Sequence, residues 1–158
     1  MRKFTILAVA AALAACNSGT TVTTDDGKEV TVEGNGSDGL SIQSKDGEFN
    51  VQSGPNAKVT LPAGFTAYPG AEIISNVNMD SNGKQVSTLT MNTNAGLDQV
   101  VAFYKKQAIA AGVDVSTEIN AGEAVMLGGE SKAGLVFGLN AGPADKGGTT
   151  AHLSLSEK

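Results

Sequence analysis

The sequence predicts an α+β fold, one helix packed across an antiparallel sheet, and three observations predict it. Apolar and polar residues alternate in short runs between Val30 and Leu155, the period of half-buried strands. One stretch, from Leu97 to Ala111, recurs instead at three- and four-residue steps. Glycine, at 20 of 158 residues, falls between the runs where turns belong. The predicted order from residue 58 to the end is β-β-α-β-β-β-β, preceded by a short β-meander of Asp-Gly turns. With no tryptophan and aromatics at 4%, the core must be largely aliphatic.

Taken in chain order, Arg2 and Lys3 form a basic start and Phe4 to Leu13 an apolar stretch. At about 1.5 Å per residue this stretch covers roughly half of a hydrocarbon core about 30 Å thick, so it reads as a signal segment rather than a membrane span. Leu13-Ala14-Ala15-Cys16 follows: an apolar residue, two small residues and the only cysteine of the chain. A lone cysteine cannot form an internal disulfide and needs another role. These four residues resemble the lipobox of bacterial lipoproteins. That resemblance implies cleavage before Cys16, lipid on its thiol, and membrane attachment by two or three acyl chains, enough for stable anchoring. Asn17, in place of an aspartate, implies an outer-membrane address facing the periplasm. The alternative is an ordinary secretory signal whose cleavage site lies beside a cysteine.

Residues 16–24 read as the lipidated cysteine and a small, polar tether. Residues 25–57 read as the meander. Asp26-Gly27, Asp38-Gly39 and Asp46-Gly47 each lead into a run with alternating apolar residues: Val30 and Val32, Leu40 and Ile42, Phe49 and Val51. Glu33 to Ser41 resembles the calcium-binding nonapeptide of repeat-in-toxin proteins, with Glu33 in place of its first glycine. That resemblance would make Asp25, Asp26, Asp38 and Asp46 the calcium ligands. Such sites need tandem copies, whereas here there is one, with neighbouring aspartates twelve and eight residues away. Turn chemistry is the simpler reading, and no metal or cofactor is expected.

Residues 58–158 read as the α+β domain. Tyr68-Pro69-Gly70-Ala71 is a turn before a strand around Glu72 to Met79. Asn82-Gly83 is a hairpin signal, and Val86 to Met91 is the partner strand. Asn94 is the predicted N-cap of the helix, whose stripe is Leu97, Val100, Val101, Tyr104, Ala108 and Ala111. Asp98 stands near its start, Lys105 and Lys106 further along, and Gly112 at its C-terminal cap. Val113 to Ile119, Glu123 to Leu127, Gly134 to Leu139 and Thr149 to Leu155 read as four antiparallel strands. Tyr68-Pro69-Gly70-Ala71 with Phe103-Tyr104-Lys105 resembles small uncharacterised envelope domains of bacterial lipoproteins, a likeness that implies no activity.

Chemistry is sparse. His152 is the only histidine and alternates with Leu153 and Leu155 as a strand residue would; no second histidine or cysteine is present for a zinc site, and no Gly-x-Ser-x-Gly elbow occurs. Gly128-Gly129 and Gly147-Gly148 read as turns. Residues 16–158 hold nine lysines, no arginine and sixteen acidic residues, a formal charge of −7, which argues against nucleic acid as a partner. The expectation is therefore a non-catalytic binding or assembly module that meets another envelope protein. Leu135, Phe137 and Leu139, near Val125 and Leu127, would be its exposed patch unless they face the helix as core. The alternative is a carrier of a small ligand, with Tyr68, Phe103 and Tyr104 lining a cavity between helix and sheet.

Overall fold

The computed structural model describes residues 19–24, 27–35, 39–45, 49–54, 57–62, 64–81 and 84–157. The described residues form β1 (Thr20–Thr23), β2 (Glu29–Asn35), β3 (Gly39–Ser44), β4 (Phe49–Ser53), β5 (Glu72–Ser81), β6 (Lys84–Thr93) and α1 (Leu97–Ala110). They continue with β7 (Val113–Ala121), β8 (Ala124–Ser131), β9 (Leu135–Pro143) and β10 (Thr149–Glu157). The described residues are thus an antiparallel sheet with a single helix, as the alternation and the helical stripe from Leu97 to Ala111 require. The sheet is larger than the expected set of six strands: all ten join in the order β1-β2-β3-β4-β5-β6-β10-β9-β8-β7. The meander strands do not stand apart, because β4 pairs with β5 through Phe49↔Met79 and Val51↔Val77. Thr20–Thr23, expected as part of a structureless tether, is β1, whose Val22 lies opposite Val30.

Helix α1 starts later than its sequence suggests. Its N-cap is Gly96, not Asn94, and Gln99 Oε1 accepts the Gly96 N–H at 3.1 Å. Thr93 Oγ1 accepts the Ala95 N–H at 3.2 Å, so the chain turns once more before the helix begins. At the other end Gly112, with φ 78°, takes the left-handed position after the helix and donates to Ile109 O at 3.0 Å. The stripe packs as expected: Val100, Tyr104 and Ala108 are fully buried, and Leu97, Val101 and Ala111 lie against the same core.

The sheet contributes the other half of that core. In β10 the odd residues Ala151, Leu153 and Leu155 are buried while His152 and Ser154 are exposed. Register carries this alternation sideways, since Leu139 lies opposite Leu153 and Phe137 opposite Leu155. Burying each such aliphatic side chain contributes roughly 1.5–3 kcal/mol relative to exposure. Gly128 and Gly129, expected as a turn, lie inside β8. A Cβ on Gly129 would stand 2.2 Å from the Asp114 carbonyl oxygen, so glycine there lets β8 approach the irregular start of β7.

Candidate functional site: two faces of one sheet

Four regions bear on how a ligand or partner could be met: the layer between helix and sheet, a cleft at one end of the sheet, the face turned away from the helix, and the β7 edge.

The first is packed solid. Leu89, Met91, Val100, Tyr104, Ala108, Ala151 and Leu153 have no accessible surface, so no water-sized space adjoins any of them. The Tyr104 hydroxyl donates to the Thr66 carbonyl oxygen at 3.2 Å and lies 3.4 Å from Met91 Sδ. Burial pushes this phenol well above its ordinary pKa, opposed by a smaller contribution from the Tyr68 backbone. Tyr68 and Phe103 meet edge-on with centroids 4.9 Å apart, and Phe103 meets Tyr104 at 5.1 Å. The expected cavity lined by Tyr68, Phe103 and Tyr104 is therefore corrected at Tyr104, whose ring belongs to the core. The expected exposed patch is corrected too. Phe137, Leu139, Val125 and Leu127 are buried and Leu135 packs against the core, because these odd-numbered residues of β8 and β9 face the helix.

The second region is a cleft of about 380 Å³ where the start of β5, the end of β6 and the β9–β10 turn converge. Its polar lining includes Glu72, Asn92, Asn94, Asp145, Lys146 and Thr150, with Ile74 at its side. Thr150 Oγ1 donates to Asn92 Oδ1 at 2.7 Å. Among the described residues no cluster of three or more His, Cys, Asp or Glu could hold a metal. His152, also on this face of the sheet, has its Nδ1 3.1 Å from Thr90 Oγ1 and is exposed. Cys16 and the calcium candidates Asp25, Asp26, Asp38 and Asp46 lie outside the described residues.

The third region is the one sequence reasoning missed. In β6, Leu89 and Met91 point to the helix, so Thr88 points away. Pairing then places Val77, Val51, Ile42 and Val32 on that same outer face, in one unbroken row. A second row runs through Val22, Val30, Ser44, Phe49, Met79 and Val86. The helix-side face of β2–β4 instead carries Glu29, Thr31, Glu33, Gln43, Asn50 and Gln52. The apolar side of the sheet has therefore changed over. Part of the cause is the irregularity between Ile73 and Ser75 in β5: Ile73 opposes Met91 on the helix side, the extra residue Ile74 shifts the phase, and Val77 and Met79 follow on the outer face. Asn76 lands on the helix side and is fully buried. There its Oδ1 accepts from Thr60 N at 2.9 Å and Asn78 Nδ2 at 3.1 Å, and its Nδ2 donates to Thr88 O at 3.3 Å. The alternation of Val30 with Val32, Leu40 with Ile42 and Phe49 with Val51 was the available signal; it marks a face without saying which.

At the far end of the sheet β7 is a free edge among the described residues. Its Ile119 pairs with Met126 of β8, and both remain exposed, 50% and 45%. No helix of the described residues is long and apolar enough to cross a membrane.

Compared with known proteins, the chain matches a START domain-like family model over residues 73–149, from β5 to the first residue of β10. The match spans just under half of the chain and leaves β1–β4 outside it. No curated protein and no solved structure matches.

Proposed function

We propose that this chain is a lipid-anchored envelope protein, attached through Cys16 on the periplasmic side of the outer membrane, and that it works as a non-catalytic assembly module. The observation that carries the second part is the free β7 edge with its exposed Ile119–Met126 pair. An unpaired edge offers backbone hydrogen bonds to an incoming strand, and an adjacent apolar pair gives that strand side chains to bury. Beyond the irregularity between Asp114 and Thr117, residues 117–121 keep an unbroken register with β8 and give this edge its regular stretch. Ten strands separated by about 4.8 Å put this edge roughly 40 Å from β1, far from the lipidated end.

A second reading, a small-ligand carrier, is favoured by the START domain-like match, because START-like domains are generally binding modules. With Leu89, Met91, Val100, Tyr104, Ala108 and Leu153 fully buried between helix and sheet, a ligand would enter only if α1 lifted from β7–β9, or it would sit in the open polar cleft.

Intact and native mass spectrometry of the membrane-extracted protein tests both parts. A mass beginning at Cys16 with added acyl chains, lost in Cys16→Ala, is the expected result; an unlipidated product would remove the anchor. An additional bound small molecule would favour the carrier. A clean apo mass, with a crosslinked envelope protein that Ile119→Asp/Met126→Asp no longer captures, would favour the module.

A further inference from the structure

The outer face of β1–β5 has no partner within the described chain. Three cross-strand rows build it, and its apolar members are Val22, Val30 and Phe49, then Val32, Ile42 and Val51, with Leu40 beyond them and Val77, Met79 and Val86 completing the rows on β5 and β6. None of the three rows contains a charged residue; their remaining members are Thr, Ser and Gly. None of the β1–β4 residues packs against the core around α1. Val22 at its β1 edge is 51% and Met79 on β5 49% exposed, so apolar surface is open at both ends of this face. The opposite face of the same strands is polar, with Glu29 and Lys45 forming an ion pair there.

We infer that this face lies against the surface of the bilayer to which Cys16 is attached, an inference that rests on the anchoring reading above. Only three residues separate Cys16 from Thr20, the first residue of β1. Even fully extended, the span from Cys16 to Thr20 is about 14 Å, so the edge of this face is held at the headgroups at all times. Attachment that close replaces a search through solution by a local equilibrium, and an uncharged apolar face needs no basic residues to settle at the interface. A second copy is a poorer occupant. Five strands at about 4.8 Å and three rows about 7 Å apart make a face of roughly 400–500 Å², against about 800 Å² per partner in a stable interface. Sheet twist of about 20–25° per strand turns β7–β10 away from a bilayer that lies along β1–β4, leaving the β7 edge free for a protein.

The chain contains no tryptophan and one cysteine, which makes the test clean. The chain from Cys16 onward is coupled through that thiol to a maleimide lipid in phosphatidylcholine vesicles brominated near the top of their acyl chains. Phe49→Trp places a reporter on the outer face, and Gln43→Trp places one on the opposite face. The expected result is a blue shift and about twofold or greater quenching of Trp at position 49, with Trp at position 43 unchanged, matching an interfacial depth of about 5–10 Å. Leu40→Trp repeats the outer-face measurement should Phe49→Trp lose its strand signal in circular dichroism. Equal spectra from the two faces overturn the inference. So does a blue shift at position 49 that grows with protein concentration in the absence of vesicles, which would assign the face to a second copy. Because coupling is chemical, this outcome is independent of whether cells lipidate Cys16, which the mass measurement decides separately.

Discussion

Gly147 and Gly148 follow one another in the β9–β10 turn with nearly the same φ, 88° and 82°, yet their surroundings differ completely. A Cβ on Gly147 would meet nothing within 4 Å; on Gly148 it would stand 2.1 Å from the Thr93 carbonyl oxygen and 2.8 Å from Asn94 Cα. Gly147→Ala therefore costs only the positive-φ conformation, roughly 1–2 kcal/mol. Gly148→Ala adds overpacking, roughly 1–3 kcal/mol. It also pushes the turn away from the segment before α1 and strains the bond from Thr149 Oγ1 to Ala95 O at 2.8 Å, roughly another 0.5–1.5 kcal/mol. The expected gap between the two variants is about 1.5–4.5 kcal/mol, and at about 2–4 °C per kcal/mol for a chain of this size it reads as roughly 3–18 °C in melting temperature. Thermal melts by circular dichroism, with urea melts at 25 °C as a second measure, compare the purified variants directly. Should the two melt together, the turn would be yielding rather than wedged, and the account of how β10 is seated beside the helix start would be wrong.

Tyr104 links stability to alkaline pH. Its folded pKa lies above the ordinary value of 10, so above pH 10 the unfolded chain loses this proton first and stability falls as pH rises, by up to about 1.4 kcal/mol per unit; urea melts between pH 8 and 11 should show a shallower decline in Tyr104→Phe. Asn76→Ala leaves the Thr60 N–H and Asn78 Nδ2 without their acceptor, at about 2–4 kcal/mol. It should also loosen residues 57–62, read as faster proteolysis there, whereas the unchanged cleavage pattern of a merely destabilised core would count against the argument.

The helix and the hairpins were legible because their signals are local. The stripe from Leu97 to Ala111 and the turn at Tyr68-Pro69-Gly70-Ala71 need no distant partner to be recognised; in the turn, Gly70 at φ 74° and Ala71 N–H to Tyr68 O at 3.0 Å are what the residue types require. The cap was misplaced because two competent capping residues, Thr93 and Asn94, precede the helix and only the three-dimensional path decides between them and Gly96. The side of the sheet each strand buries was not legible. Alternation fixes a period of two, but a single extra residue such as Ile74 reverses which residues meet the helix, and nothing in the local sequence announces it. For the same reason Asn76 reads as a surface residue. Val22–Val30 pairing was invisible because Thr20–Thr23 has the composition of a linker and becomes a strand only when β2 is beside it.

Nearly every pair of adjacent strands is also adjacent in the chain; the exception is the pair β6–β10, since β10 seats between β6 and β9. A chain that emerges N-terminus first can form β1–β6 as hairpins and β7–β9 as a second set, but the two sets share no strand pairing until the last nine-residue strand arrives. Joining β6 to β10 closes a loop of more than fifty residues, a slow step compared with hairpin formation. Completion of the sheet thus waits for β10, and loss of that strand would leave two unjoined half-sheets rather than a shortened whole.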